Sequence, residues 1–251
     1  MRYECMLPGQ IRHAIEHHWP VVLPLGVLEY HGEHLAVGLD TLVVIKCVER
    51  LEGEIDMVVL PPFYYGAASY AVKGPEGSGS VQVEADVLSP FAYSLFQGLL
   101  RIGFRNIHGI IHHQTENFVA GMPTDLAFKL AARRATFALL QDQFGDGWWG
   151  SQNMANYYEG HAVGDNPFNW IQVHPLMDQA IINQYSFDHA GVGETSLLMA
   201  LMPQCVQMDK LDTSEWYLKT AAQATPEYGQ KAVDLILPRL RRILAPHTEK
   251  H

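Results

Sequence analysis

Five side chains able to bind a cation or carry a proton fall within twelve positions: Glu29, His31, Glu33, His34 and Asp40. They follow an apolar run, residues 21–25, and a glycine, Gly26. Carboxylate oxygens mixed with imidazole nitrogens suit Zn, Mn or Fe, and a carboxylate that bridges suits two ions. Glu29 and His31 are two apart, and in extended backbone residues at that spacing point to the same side. A lone His or Glu after a strand is ordinarily a solvated loop residue; the density of the cluster is what points to a metal. Asp40 precedes an apolar stretch of helical spacing. As the N-cap of that helix it would face back toward the strand end.

The elements that must position these groups are those of an open α/β sheet, in which buried strands deliver polar residues at their carboxyl edge. Residues 21–25 read as the first core strand and 57–60 as a second, stopped by Pro61 and Pro62. A short helix is expected over 8–18, and a second over 41–51 with Leu42, Ile45 and Val48 at helical spacing. A third is expected over 84–102, with Leu88, Phe91, Leu95 and Leu99 along one stripe. Residues 107–111 read as a strand that discharges into a second polar cluster: His112, His113, Gln114, Thr115, Glu116 and Asn117. A helix follows from about residue 118, its start blurred by Pro123. Residues 171–188 carry no clear pattern. His189 then sits in a turn, and Gly191 and Gly193 lead into an apolar helix starting near Glu194. A last helix spans 232–244, with a kink expected at Pro238.

Two irregular stretches could wall a pocket. Residues 63–80 hold Tyr64, Tyr65 and Tyr70 among glycines at 66, 74, 77 and 79. This loop lacks the terminal Gly-Lys-Ser/Thr of a phosphate-binding loop, which excludes nucleotide hydrolysis of that kind. Residues 142–170 contain Trp148, Trp149, Tyr157, Tyr158 and Trp170, and long irregular segments of this sort tend to be lids or contact surfaces. Candidate substrate contacts are Tyr70, Ser80, Trp149 and Tyr185.

Composition bounds the rest. With 251 residues, 48% of them hydrophobic, the chain can fill one α/β domain spanning 1–251. A formal charge of -10 argues against non-specific nucleic-acid binding. Three widely spaced cysteines form neither a disulfide framework nor a Cys-x-x-Cys motif. No run reaches the roughly 18 apolar residues of a membrane helix, and no signal-peptide core opens the chain. The expected location is cytoplasmic.

Three segments together resemble the creatininase family of metal-dependent amidohydrolases. Glu29, His31, Gly32, His34, Leu35 and Asp40 match the signature Glu-x-His-Gly-x-His-Leu-Pro-x-x-x-Asp, with Ala36 in place of the proline. Residues 103–117 resemble the strand leading to the family's Asn-Gly-His-x-Glu-Asn, and 189–196 resemble its His-Ala-x-x-x-Glu-Thr-Ser. The resemblance implies a three-layer α/β/α sandwich with a mainly parallel central sheet. It also implies a centre of one or two divalent ions, Zn or Mn, and a homo-oligomer, commonly a hexamer. Carried over by position, Glu29, His31, Asp40 and Glu116 become ligands, with Asp40 as the bridge. His189 becomes the proton carrier, and Glu194 stands beside the site, orienting that histidine or a water. The catalytic set is then His189, Glu116 and Glu194.

The chain departs from the family at two places. Gln114 falls where the family has a ligand histidine; strand alternation favours Gln114 in that position, whereas ligand chemistry favours His113. The loop that often carries Ser-x-x-His and then Phe-Pro-Gly-Thr reads Ser69-Tyr-Ala-Val and then Glu76-Gly-Ser-Gly-Ser, so substrate contacts should differ. The implied reaction is hydrolysis of a small polar cyclic amide such as creatinine, by water activated through metal coordination. The alternative within the family is hydrolysis of a carbon–carbon bond in an oxidised inositol. A third possibility is a non-catalytic metal-binding protein on the same fold.

Overall fold

The protein is described here by a computed structural model, which covers residues 1–113, 121–156 and 166–245. Among these residues four parallel strands form one sheet: β1 (Val21–Leu25), β2 (Val58–Val59), β3 (Ile107–Ile111) and β4 (Ile171–Pro175), in the order β2-β1-β3-β4. Every residue of β1, β2 and β3 is buried, as expected of strands covered on both faces. Strands β1 and β3 run in register from Val21 opposite Ile107 to Leu25 opposite Ile111.

The connecting helices fall on two sides for a reason of handedness. Helix α2 (Leu39–Leu51) links β1 to β2; α3 (Ala85–Ile102) links β2 back across β1 to β3; α4 (Pro123–Phe144) lies between β3 and β4. The direction of travel reverses after β2. Right-handed crossovers then require α3 and α4 on the face opposite α2. The two cores bear this out. One joins Val22, Val59 and Ile110 to α2 and to the later helices α6 (Val192–Leu201) and α7 (Pro226–Leu244). The other joins Val21, Leu23, Leu25, Val58, Ile107 and Ile111 to α1 (Pro8–Glu16), α3 and α4. This is a three-layer α/β/α sandwich. The reversal also opens a crevice beyond the carboxyl ends of β1 and β3, where ligands bind in sheets of this kind.

The elements differ from expectation in particular places. The second strand is reduced to Val58–Val59, although Met57 and Leu60 flank it buried. Strand β4 and the short helix α5 (Gln179–Ile182) occupy the stretch without a clear pattern. Among the described residues β4 is an edge strand, half-buried beyond Ile171, and its Gln172, His174 and Pro175 mask the apolar signal. Helix α1 ends at Glu16, two residues before the expected boundary. Helix α7 starts at Pro226, six residues before it, with the Thr225 side chain accepting from the Tyr228 amide, and it continues through Pro238. The expected start of α4 near residue 118 lies outside the described residues, as do Tyr157 and Tyr158; the helix is described from Pro123.

Candidate metal centre

Three chain segments meet at the crevice. The first leaves β1 at Gly26, where a Cβ would lie 2.4 Å from Thr41 Oγ1 and 2.6 Å from the Thr41 backbone nitrogen. Only glycine lets the start of α2 press onto the strand end, and this close approach carries Asp40 back over β1. Asp40 is not the N-cap: Gly38 holds that position and Asp40 lies inside the first turn. The carboxylate still sits at the helix's positive end. The second segment leaves β3 at His112 and bends at His113. The third is the turn before α6, in which Ala190 adopts a left-handed conformation with φ 54°. Strain of that kind is retained where the surroundings hold it. Here Asp188 accepts from the amides of Gly191, Gly193 and Glu194, and the Tyr185 hydroxyl donates to the Gly193 carbonyl.

The side chains form two donor sets sharing one carboxylate. His31 Nε2 lies 3.7 Å from Asp40 Oδ1 and 3.5 Å from Glu194 Oε2. His113 Nδ1 lies 3.5 Å from Glu29 Oε2 and 3.6 Å from Asp40 Oδ2. Ligand atoms around a tetrahedral ion with bonds of about 2.0–2.2 Å stand about 3.3–3.6 Å apart. Both sets have nearly that spacing, and the two Asp40 oxygens face different sets. Glu29 Oε2, His31 Nε2 and both Asp40 oxygens are buried with no hydrogen-bond partner among the described residues. Buried polar atoms are ordinarily satisfied, so a converging group of unsatisfied ones calls for a ligand. The residues therefore fit a divalent cation. The two histidine orientations support this. The His31 Nδ1–H donates to the Glu29 carbonyl at 2.9 Å, which leaves the Nε2 lone pair toward Asp40. The His189 Nε2–H donates to the Tyr30 carbonyl at 2.9 Å, leaving Nδ1 3.9 Å from Glu29 Oε2.

The electrostatics are those of crowded acids sharing imidazoles. Burial pushes Glu29 up to about 7, with neighbouring Asp40 adding to the rise and His113 opposing it. Burial also works against ionised Glu194, but His31 and the hydrogen bond from His112 together bring it down to about 2. Burial disfavours protonated His31, yet the carboxylates of Asp40, Glu194 and Glu29 outweigh it and raise its pKa. His189 is held below the usual histidine value by burial and by His31, on which its ring stacks at 4.4 Å. A bound cation would favour every anionic form.

Of the sequence candidates, Glu29, His31, Asp40, His113, His189 and Glu194 converge. Gln114 and Glu116 lie outside the described residues. His113 reaches Glu29 and Asp40 because β3 ends at Ile111 and the chain bends at His113, so the alternation of the strand does not extend to it. Glu194 reaches the donor atoms themselves rather than standing beside them. Ser80 supports the site by accepting the Tyr30 amide. Tyr70 is an exposed loop residue, and Tyr185 is buried with its hydroxyl committed to α6. Trp149 sits half exposed just beyond the far end of α4. The near end of that helix adjoins the crevice through Thr124, which accepts the Ala67 amide, and its 22 residues span about 33 Å.

Two residues were missed. His112 Nε2 bonds Glu194 Oε1 at 3.0 Å, and His34 Nε2 bonds Thr195 Oγ1 at 3.1 Å. The Thr195 hydroxyl donates to the Ala190 carbonyl, so it accepts from His34. Both histidines stood inside the recognised motifs, but nothing in their spacing indicated a partner on α6.

A doubly wound α/β protein with buried acids and imidazoles at its switch point is the class this geometry defines. The family model described as "Creatininase: Creatinine amidohydrolase" matches residues 6–244, and the chain belongs to the creatininase family of hydrolases. A creatinine amidohydrolase of Pseudomonas putida is 24% identical over 204 residues, covering 76% of this chain and 67% of that protein. A 3-dehydro-scyllo-inosose hydrolase of Thermotoga maritima is 28% identical over 103 residues, 41% of this chain and 32% of that protein. Among solved structures, a tryptophan-to-phenylalanine creatininase mutant has a TM-score of 0.72 at 19% identity, covering 98% of this chain and 99% of that one. A glutamate-to-glutamine mutant creatininase described as "Zn-Zn type" has a TM-score of 0.69 at 19% identity, covering 98% of each chain. A structure described as "Creatininase Mn" has a TM-score of 0.66 at 19% identity, over 98% of this chain and 99% of that one. At these identities the structural likeness establishes the fold. No helix among the described residues is long and apolar enough to cross a membrane.

Proposed function

We propose that the protein is a metal-dependent hydrolase with a two-ion centre that opens a small polar cyclic amide of the creatinine type. The observation that carries this reading is Asp40, whose two buried oxygens each face a separate donor set. His31, Asp40 and Glu194 would hold one ion; Glu29, Asp40 and His113 the other. Zn or Mn suits these donors, and relatives whose structures are described with Zn or Mn share the fold. Bound there, the ions would supply a nucleophile from water at neutral pH and polarise the scissile carbonyl.

The chain's own residues do the rest. His31 and His189 are held in fixed tautomers by the carbonyls of Glu29 and Tyr30. His189 is neutral near pH 7 because its pKa is lowered, so its Nδ1 can take a proton and return it to the leaving nitrogen. His112 and the Ala190 amide fix the two oxygens of Glu194. The recognition loop differs from the family pattern over 69–80, and the inosose hydrolase relative makes an oxidised inositol the second substrate to test.

The test is to strip the protein of metal, reload it with Zn or Mn, and assay both substrates. Two bound ions per chain with creatinine opening are expected; turnover of the inosose alone would move the assignment to carbon–carbon hydrolysis. His189→Gln should keep both ions and lose about 10²–10⁴ in kcat. Less than one bound ion per chain, with neither substrate consumed, would leave a non-catalytic protein.

A further inference from the structure

The molecule carries a second cluster of metal-binding side chains, at the opposite end of the sheet. His13, Glu16 and His17 lie in and just after the last turn of α1, and each offers a donor atom within 4.8 Å of the others. All three are exposed. We propose that this cluster is an outward-facing site for a transition-metal dication such as Cu²⁺, Ni²⁺ or Zn²⁺, separate from the centre at the switch point.

Four observations carry the proposal. The spacing i, i+3, i+4 places the three side chains on one helix face. The His17 Nδ1–H donates to the His13 carbonyl at 2.9 Å, so the Nε2 lone pair is the one left for a ligand, the outer-shell arrangement usual for metal-binding histidines. The two imidazoles are already gathered, with ring centroids 3.9 Å apart. The helix end is also pinned. The Trp19 amide donates to the Ala14 carbonyl, and His18, at φ 51°, offers its carbonyl to Asn106 Nδ2 at 3.1 Å. The ligands therefore stand on a fixed scaffold, at the negative end of a helix dipole that favours a cation.

Position and chemistry separate this site from the other. The cluster precedes β1, whereas Glu29 and His31 follow it, and the five residues of the strand alone span roughly 16 Å. Two imidazoles and one carboxylate favour Cu²⁺, Ni²⁺ or Zn²⁺ over Mn²⁺. Three protein donors leave an open position, so the site would keep a water or accept a donor from solution.

The structure also supplies an optical reporter, because the Trp19 ring meets His13 edge-on at 5.4 Å. The protein, loaded with Mn²⁺, is titrated with Cu²⁺ while tryptophan fluorescence and protein-bound copper are followed. His17→Gln should bind one copper fewer per chain and quench with a midpoint at least about tenfold higher, with bound Mn²⁺ unchanged. Trp19→Phe should keep the copper and lose most of the quench. Equal copper content and equal quenching in His17→Gln and the unaltered protein would overturn the site. Undiminished quenching in Trp19→Phe would overturn it as well.

Discussion

The two ends of the sheet use buried histidines in opposite ways. Near the amino end, His108 lies between His174 Nε2 at 3.1 Å and Asn106 Oδ1 at 2.7 Å, so both its ring nitrogens are engaged within the fold. Burial holds His174 down at about 4, so its imidazole is neutral at pH 7. At the carboxyl end, His31 Nε2 faces two carboxylates without a hydrogen bond, and Asp40 has none on either oxygen among the described residues. Residue type is the same in both places, and His108 is as deeply buried as His31. The difference is completion: one network closes on itself, and the other converges on a gap that suits a cation.

The largest effect should come from the shared carboxylate. Asp40→Asn replaces an oxygen needed by one donor set with an amide, and should cost at least about a thousandfold in kcat/KM together with most of the bound metal. Metal analysis beside steady-state kinetics checks this. A variant that kept both ions and its activity would erase the contrast between the two ends.

A smaller effect should appear in the pH dependence of metal binding. Glu29 must be ionised to bind a cation, and in the metal-free protein it is raised to about 7. Affinity should therefore fall about tenfold per pH unit below pH 7, for each proton displaced. The sign for folding is the reverse. Between about 4.5 and 7 folded Glu29 keeps a proton that the unfolded chain has released, so this group makes the metal-free protein less stable as pH rises through that window. Metal loading should remove that loss, which paired thermal melts would show.

The smallest effect on function should come from the closed network. His174→Phe breaks the partly buried hydrogen bond to His108 and should cost about 1–3 kcal/mol in stability. Metal content and kcat of the folded protein should stay unchanged. A drop in kcat without loss of metal would show that the two ends are coupled.

The sequence alone determined the strands β1 and β3, the helices α2 and α3, and the identity of most of the clustered acids and imidazoles. Uniform burial of Val21–Leu25 and Ile107–Ile111, and motifs of rare polar residues directly after them, are local signals that survive in a linear reading. Edge strand β4 was illegible because its half-exposed residues follow no simple period. Tertiary structure alone decided the partners. Right-handed crossovers set the layers, Gly26 let α2 close onto β1, and the bend after Ile111 brought His113 to Asp40. The tie between His112 and Glu194 spans 82 residues. Such a contact is created by chain packing and leaves no trace in the spacing of either residue.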